Sequence, residues 1–303
     1  MLLKLFRKEQ GNALVLVSFA MLGLLSITGL VLDGGTLYMT KSHLQKTANA
    51  AALSGAQELT GTDEVVVEKI IERVLMEHGE SESLKSISMT LEDRVEVELS
   101  KEIKPVFLKL FGYDTATVEA QATAEIGTMG RAYGAAPLGI DESIELELYK
   151  EYKLKVDQHE VDTGNFGVLA LGGTGASTYE ENLRNGYKDQ IGRGDILDTQ
   201  TGNISGKTRS VINELVQNCP YSPGDAIERN CSRILLVPVY KPYYTSTNQL
   251  KQVEITGFEY FFVTEPVHSN DTTITGIFIK MTGTGIIDPG SSSLGAYSIR
   301  LTR

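Results

Sequence analysis

Histidine and cysteine are both scarce, with four of one and two of the other in 303 residues, and that scarcity narrows the chemistry open to the chain. His43, His78, His159 and His268 are widely scattered, and none adjoins a serine or cysteine in a nucleophile motif. No histidine-based triad or zinc set is therefore legible along the chain. His159 lies beside Asp157, Glu160 and Asp162 on a segment that alternates and then turns at Gly164; solvated charge at a strand end accounts for this cluster better than a metal does. Nucleotide-binding loops are missing too. Gly206-Lys207-Thr208 ends like a phosphate loop, but the glycine required five residues before Gly206 is Thr201, and Gly202 falls one position late. The segment reads as a helix start capped by Ser205. Gly172-Gly173-Thr174-Gly175 lacks the third glycine of a dinucleotide fingerprint.

Positive charge is also short. The formal charge is −11, and because Lys4, Arg7, Lys8 and Glu9 hold a net +2, the remainder carries −13. Nucleic acid and anionic lipid surfaces both demand basic patches, so neither is expected as a partner of the outer part. The two cysteines, Cys219 and Cys231, bracket CPYSPGDAIERNC, a stretch with two prolines, a glycine and no apolar periodicity. In an oxidising compartment a disulfide would staple this loop, contributing about 3 kcal/mol in the chain-entropy model. A free pair and a metal site are the alternatives; zinc would need two further ligands, and no histidine is near.

What the chain does have is one long apolar run, Gly11 to Leu32, directly behind the basic tip. As a helix it extends about 33 Å, enough for a hydrocarbon core of roughly 30 Å. A secretory signal begins similarly, but its apolar region is usually about 7–15 residues long and is followed at once by a small-residue cleavage site. Here the nearest small cluster is Ala48 to Ala52. Lys and Arg before the run and Asp33 after it predict a cytoplasmic N-terminus and an exported remainder. Gly11, Gly23 and Gly29 give the helix small-residue faces for close packing in the membrane. Beyond Gly34 and Gly35, TLYMTKSHLQKTANAAALSGAQEL continues with strong helix formers and no proline, which predicts one long helix bent at the glycines. Its alanine-rich face would admit a sheet or helix closely, with Lys41, Gln45 and Lys46 toward solvent or a partner.

The tip RKEQGNALVLV and the stretch LVLDGGTLYMTKSHLQKTANAAALSGAQEL together resemble the N-terminal segment of the TadE/TadG-like proteins of the tight-adherence (Flp-type) pilus system. The positions that carry the resemblance are Gly11, Asp33, Leu37, Tyr38, Leu44, Gln45, Ala50, Ala51, Ala52 and Leu53, and it runs to about Thr60. A looser likeness covers Val95 to Gly127. The resemblance implies a bacterial cytoplasmic membrane protein, single-pass, working with pilins or with inner-membrane pilus platform proteins. Prepilins cleaved by the dedicated peptidase carry Glu five positions after the scissile glycine; counting from Gly11, Leu16 stands there, so an uncleaved anchor is expected. Longer relatives carry a von Willebrand A-type metal string, Asp-x-Ser-x-Ser; the nearest stretch here, Asp141 to Glu145, lacks the second serine. No metal and no cofactor is expected.

The expected fold class is α+β: a transmembrane helix continuing into a stalk helix, a small α+β unit, then a mostly-β second domain with two helices. The boundaries are 1–10 for the tip, 11–32 for the membrane helix, 33–130 for the stalk and pilin-like unit, and 131–303 for the β-rich domain. In the first unit, Gly61-Thr62-Asp63 caps a helix with Val66, Ile70, Val74 and Leu75 inward and Gly79 as its stop. SISMTLE and RVEVEL form a hairpin around Glu92 and Asp93; Pro105 starts a short helix that Gly112 ends, and ATVEAQATAEI is a strand. In the second unit, ESIELELYKEYKLKVD, GNFGVLALGG, RILLVPVY, QVEITGFEYFFVTE and ITGIFIKMT read as strands, and STYEENLRNGY and KTRSVINELVQN as helices.

Function is expected to be docking rather than catalysis, by a minor pilin-like subunit or an assembly factor. The expected assembly contacts are Gly23 and Gly29 in the membrane and Asp33, Tyr38, Leu44, Gln45 and Ala51 on the stalk. Ala51→Glu is expected to lower assembly without unfolding the outer domain. The outer surface is expected to face a fibre, a cell-wall or surface ligand, or a neighbouring subunit. The alternative is a tethered surface hydrolase or carbohydrate-binding module, with a cleft around Tyr243, Tyr244, Glu254 and Glu259.

Overall fold

The computed structural model describes residues 9–154, 167–200, 204–223, 225–246, 249–268, 273–292 and 294–302. The basic tip, the His159 cluster and Gly202 lie outside them. The fold is α+β, a long apolar helix followed by a mostly-β body. Helix α1 spans Glu9–Ala56, 48 residues without a break at Gly34 or Gly35. Its first part is bare: only 6 % of its most apolar window is buried, which is not how a soluble core helix behaves. From Leu44 onward the same helix carries Leu44, Ala48, Ala51, Ala52 and Ala56, all fully buried.

Helix α2 (Glu64–Glu77) is capped by the Asp63 side chain, which accepts from the Val65 N–H. Its buried face is Val67, Ile71 and Leu75; of the expected Val66, Ile70, Val74 and Leu75 only Leu75 lies on it, the other three sitting one residue away. EVVVEKIIERVL holds two adjacent apolar stripes, so periodicity does not choose between them. The α1 crossing does: a Cβ on Gly55 would stand 2.8 Å from Ile71, and the bare glycine lets Ile71 settle against α1. Strands β1 (Leu84–Thr90) and β2 (Arg94–Ile103) form the expected hairpin, with Glu92 in the left-handed region at φ 64°. After a short 3₁₀ turn, Leu108–Phe111, ended by left-handed Gly112, strand β3 (Ala116–Ala132) pairs with β2. Alanines 120, 122 and 124 of β3 face the alanines of α1 across one core, closed by Val95, Val97 and Leu99. Small side chains on both sides bring helix and sheet close.

The rest of the chain adds β4 (Ile140–Asp141), β5 (Glu151–Leu154), α3 (Ala176–Asn185), β6 (Ile191–Gly192), β7 (Ile196–Asp198) and α4 (Ser205–Asn218). These are followed by β8 (Ile234–Ser246), β9 (Gln249–Val263), β10 (Ile274–Ile279), β11 (Met281–Gly283), β12 (Gly285–Ile287) and β13 (Ala296–Leu301). A second sheet runs β4-β8-β9-β10-β5, with β7 on β9. Phe261 and Val263 of β9 pack under α3 and α4 with Tyr179, Val211 and Ile212. The alternate residues Phe258, Tyr260 and Phe262 face Met129, Ala132 and Ala296 across a third core.

The boundary expected at residue 130 falls inside β3, which continues to Ala132. The first sheet runs β1-β2-β3-β13-β11, and β12 and β6 also pair with β3. The last strand therefore returns to the first sheet, with Tyr297 opposite Thr128 and Leu301 opposite Ala124. Three further expectations change. The described part of GNFGVLALGG, 167–173, makes isolated bridges from Val168 to Leu138 and from Leu169 to Thr199 rather than a strand. Among its described residues, 142–154, ESIELELYKEYKLKVD keeps only β5 as strand, because Asp141 starts a turn that takes the Ser143 N–H and Tyr149 sits at φ 63°. Its Leu146 and Leu148 still pack on the core. Helix α4 starts at Ser205 itself, after Ile204, with no side-chain cap. Cys219 and Cys231 are joined by a disulfide, and the neighbouring Arg233, 5 % exposed, donates to the carbonyls of Val216, Cys219 and Thr264. A cation on the last carbonyls of α4 also suits the helix dipole.

Candidate functional site

Where α1 leaves its apolar run, its side chains hold the connection between β2 and β3. Gly29 and Asp33 lie one turn apart on one face of α1, as residues four apart do, and both are buried under the β2–β3 connection. The Asp33 carboxylate accepts from the backbone N–H groups of Val106 (3.0 Å), Phe107 (2.8 Å) and Leu108 (2.6 Å). These are the donors that a helical turn leaves unpaired at its start. Below it, any side chain on Gly29 would collide with the Phe107 ring. Glycine and aspartate thus form a two-part hook for residues 106–108. Higher on α1, Lys41 donates to the Glu119 carbonyl, and Gln45 donates to the Gln121 carbonyl at 2.7 Å, riveting the helix to β3.

The expected assembly contacts divide accordingly. Leu44 and Ala51 are fully buried in the chain's own core, and Gln45 spends its amide on β3. Asp33 and Gly29 hold the chain's own loop. These five were expected to meet a partner, and their contacts here are internal, because the stalk is covered by its own sheet. Ala51→Glu would place a carboxylate in an apolar core, so it is no test of docking. Gly23 is different, with nothing within 4 Å of where a Cβ would stand. Tyr38 is 75 % exposed. Sequence reasoning found Gly29 and Asp33 but missed Phe107; a glycine one turn before an aspartate at a membrane boundary was the available signal.

A second region joins the two sheets. Arg229 pairs with Glu58 at 2.9 Å and donates to Thr282 Oγ1 at 2.9 Å, while Thr282 Oγ1 donates to the Gln57 carbonyl at 2.8 Å. Beside it is a cleft of about 400 Å³ lined by Tyr149, Tyr221, Arg229 and Lys280. Its cations are already matched, Arg229 by Glu58 and Lys280 by Glu92. The cleft that would support the alternative of a tethered hydrolase or carbohydrate-binding module, around Tyr243, Tyr244, Glu254 and Glu259, does not assemble. Glu259 is 2 % exposed and accepts from the Leu294 and Gly295 N–H groups, while Glu254 pairs with Lys241 at 3.0 Å. Lys207, the would-be phosphate lysine, pairs with Glu180 at 2.5 Å. At the α1–α2 crossing, Glu80 is 4 % exposed and receives Lys101 at 2.6 Å and Ser83. Burial pushes its pKa up, but the bonds from Lys101 and Ser83 outweigh this and hold the carboxyl below its ordinary value. Among the described residues no group of three or more histidine, cysteine or acidic side chains is arranged for a metal.

An apolar, uncovered helix that runs on as the buried spine of an α+β body defines a membrane-anchored protein with its folded part built onto the anchor. Residues 11–58 match the Tad family, described as putative Flp pilus-assembly TadE/G-like, so the segment from the apolar run through the buried half of α1 is similar to that family. No curated protein and no solved structure matches the chain.

Proposed function

We propose that this chain is a non-enzymatic, single-pass protein of a bacterial tight-adherence pilus or related secretion apparatus, either a minor pilin-like subunit or a membrane-bound assembly factor. The observation that carries this is the match over residues 11–58 on a helix whose membrane half is uncovered. The bare surface from Leu14 to Leu32, open at Gly23, is where pilins or inner-membrane platform helices dock, because small residues let helix backbones approach closely in lipid. Tyr38, exposed one turn past Asp33, extends that contact outward. The N-terminus lies in the cytoplasm and the folded body outside, in accordance with the positive-inside rule.

Shearing filaments from cells and quantifying the protein by mass spectrometry tests this. Enrichment with filaments identifies a minor pilin; retention in washed membranes of piliated cells identifies an assembly factor. Unchanged piliation when the gene is removed overturns the reading. Gly23→Leu is expected to reduce filament number on cells without lowering the melting temperature of the purified protein, since no contact of the folded body is touched.

A further inference from the structure

The β2–β3 connection carries a patch that the fold leaves bare. Val106 is 72 % exposed, Leu110 81 %, Phe111 67 % and Tyr113 63 %, four apolar or aromatic side chains within eight residues. Soluble surfaces tolerate such residues singly, whereas a cluster marks a contact. The hook described above fixes where this cluster sits. Asp33 holds Val106 to Leu108 at the residue just after the apolar run, and Phe107 lies on Gly29, four residues inside it, or about 6 Å nearer the membrane centre along a helix.

We propose that residues 104–113 form a second membrane contact, an interfacial wedge whose Val106, Leu110, Phe111 and Tyr113 insert into the leaflet beside α1. This rests on α1 spanning the bilayer. The occupant is lipid because the patch is continuous with the lipid-exposed surface of α1 and is pinned at the depth where that surface ends. Aromatic residues favour this interfacial zone. Lys104 and Lys109, both exposed, flank the apolar side chains and reach back to headgroups, as long basic side chains do at such boundaries. The clamp explains itself in this setting. Three backbone N–H groups near hydrocarbon would lose their water, and Asp33 supplies the acceptor that lipid lacks.

The chain contains no tryptophan, so single introduced tryptophans report locally. Phe111→Trp, Leu22→Trp and Tyr133→Trp, each in the full chain, are reconstituted into phosphatidylcholine–phosphatidylglycerol vesicles with lipids brominated near the headgroup or near the chain end. The expected result is blue-shifted emission for Phe111→Trp, with most intensity lost to the shallow bromines. Leu22→Trp should lose most to the deep ones, and Tyr133→Trp, just past the far end of β3, should respond to neither. Quenched Leu22→Trp with unquenched Phe111→Trp overturns the wedge while the anchor stands, and leaves a protein partner for the patch. Unquenched Leu22→Trp overturns the spanning helix and the wedge with it. Leu110→Trp reads the same patch should Phe111→Trp fail to fold.

Discussion

Asp33 accepts three backbone N–H groups, and Asp33→Ala leaves all three without their acceptor. Each unsatisfied buried donor costs about 1–3 kcal/mol, of which loop movement recovers part. The expected outcome is faster amide exchange confined to residues 106–108, measured by hydrogen–deuterium exchange, with the α1–β3 core still protected. Gly29→Ala should release the same segment by displacing Phe107. Glu80 makes a pH argument with a definite sign. Its folded-state pKa is held below the ordinary carboxylate value, so the stability it contributes is present above the unfolded pKa and is lost as pH falls through the folded one. Glu80→Gln should therefore lower the melting temperature at neutral pH, and the gap to the parent protein should close on acidification through the carboxylate range.

Among the elements, the Cys219–Cys231 loop joins α4 to β8, and reduction is expected to cost about 3 kcal/mol, read as a fall in melting temperature with reductant. A Cys219→Ser, Cys231→Ser variant should match the reduced protein. Elements held by local signals were legible from sequence. The Asp63 cap, the hairpin at Glu92 and Asp93, the Gly112 stop and the long apolar runs of β8 and β9 all stand where their residues placed them. Features set by distant partners were not. β13 pairs with β3 across more than half of the chain, Tyr297 opposite Thr128, and nothing in AYSIRL names that partner. On α2 Leu75 was placed on the buried face, but Val66, Ile70 and Val74 were one residue off, because Gly55, on another helix, selects that face. At the site, Gly29 and Asp33 were legible as special residues at a membrane edge, but their role was not, since Phe107 reaches them only through the β2–β3 turn.

For the whole molecule, β3 belongs to both cores: its first part faces α1, and Met129 and Ala132 face the second sheet. The expected outcome is one cooperative unfolding transition for the outer body in calorimetry. A fragment ending at residue 130 should yield no protease-resistant core, since it loses β13 and cuts β3. Two transitions, or a stable fragment, would instead restore independent units. The unbroken α1 carries a consequence for motion. At 48 residues it is about 72 Å long, with one end among lipids and the other packed at the centre of the folded body. It behaves as a drive shaft. With that segment in a bilayer, as proposed, a turn imposed on it by its neighbours would arrive at the folded body as the same turn, with no joint to absorb it, and the compass bearing of the body would be set from within the membrane.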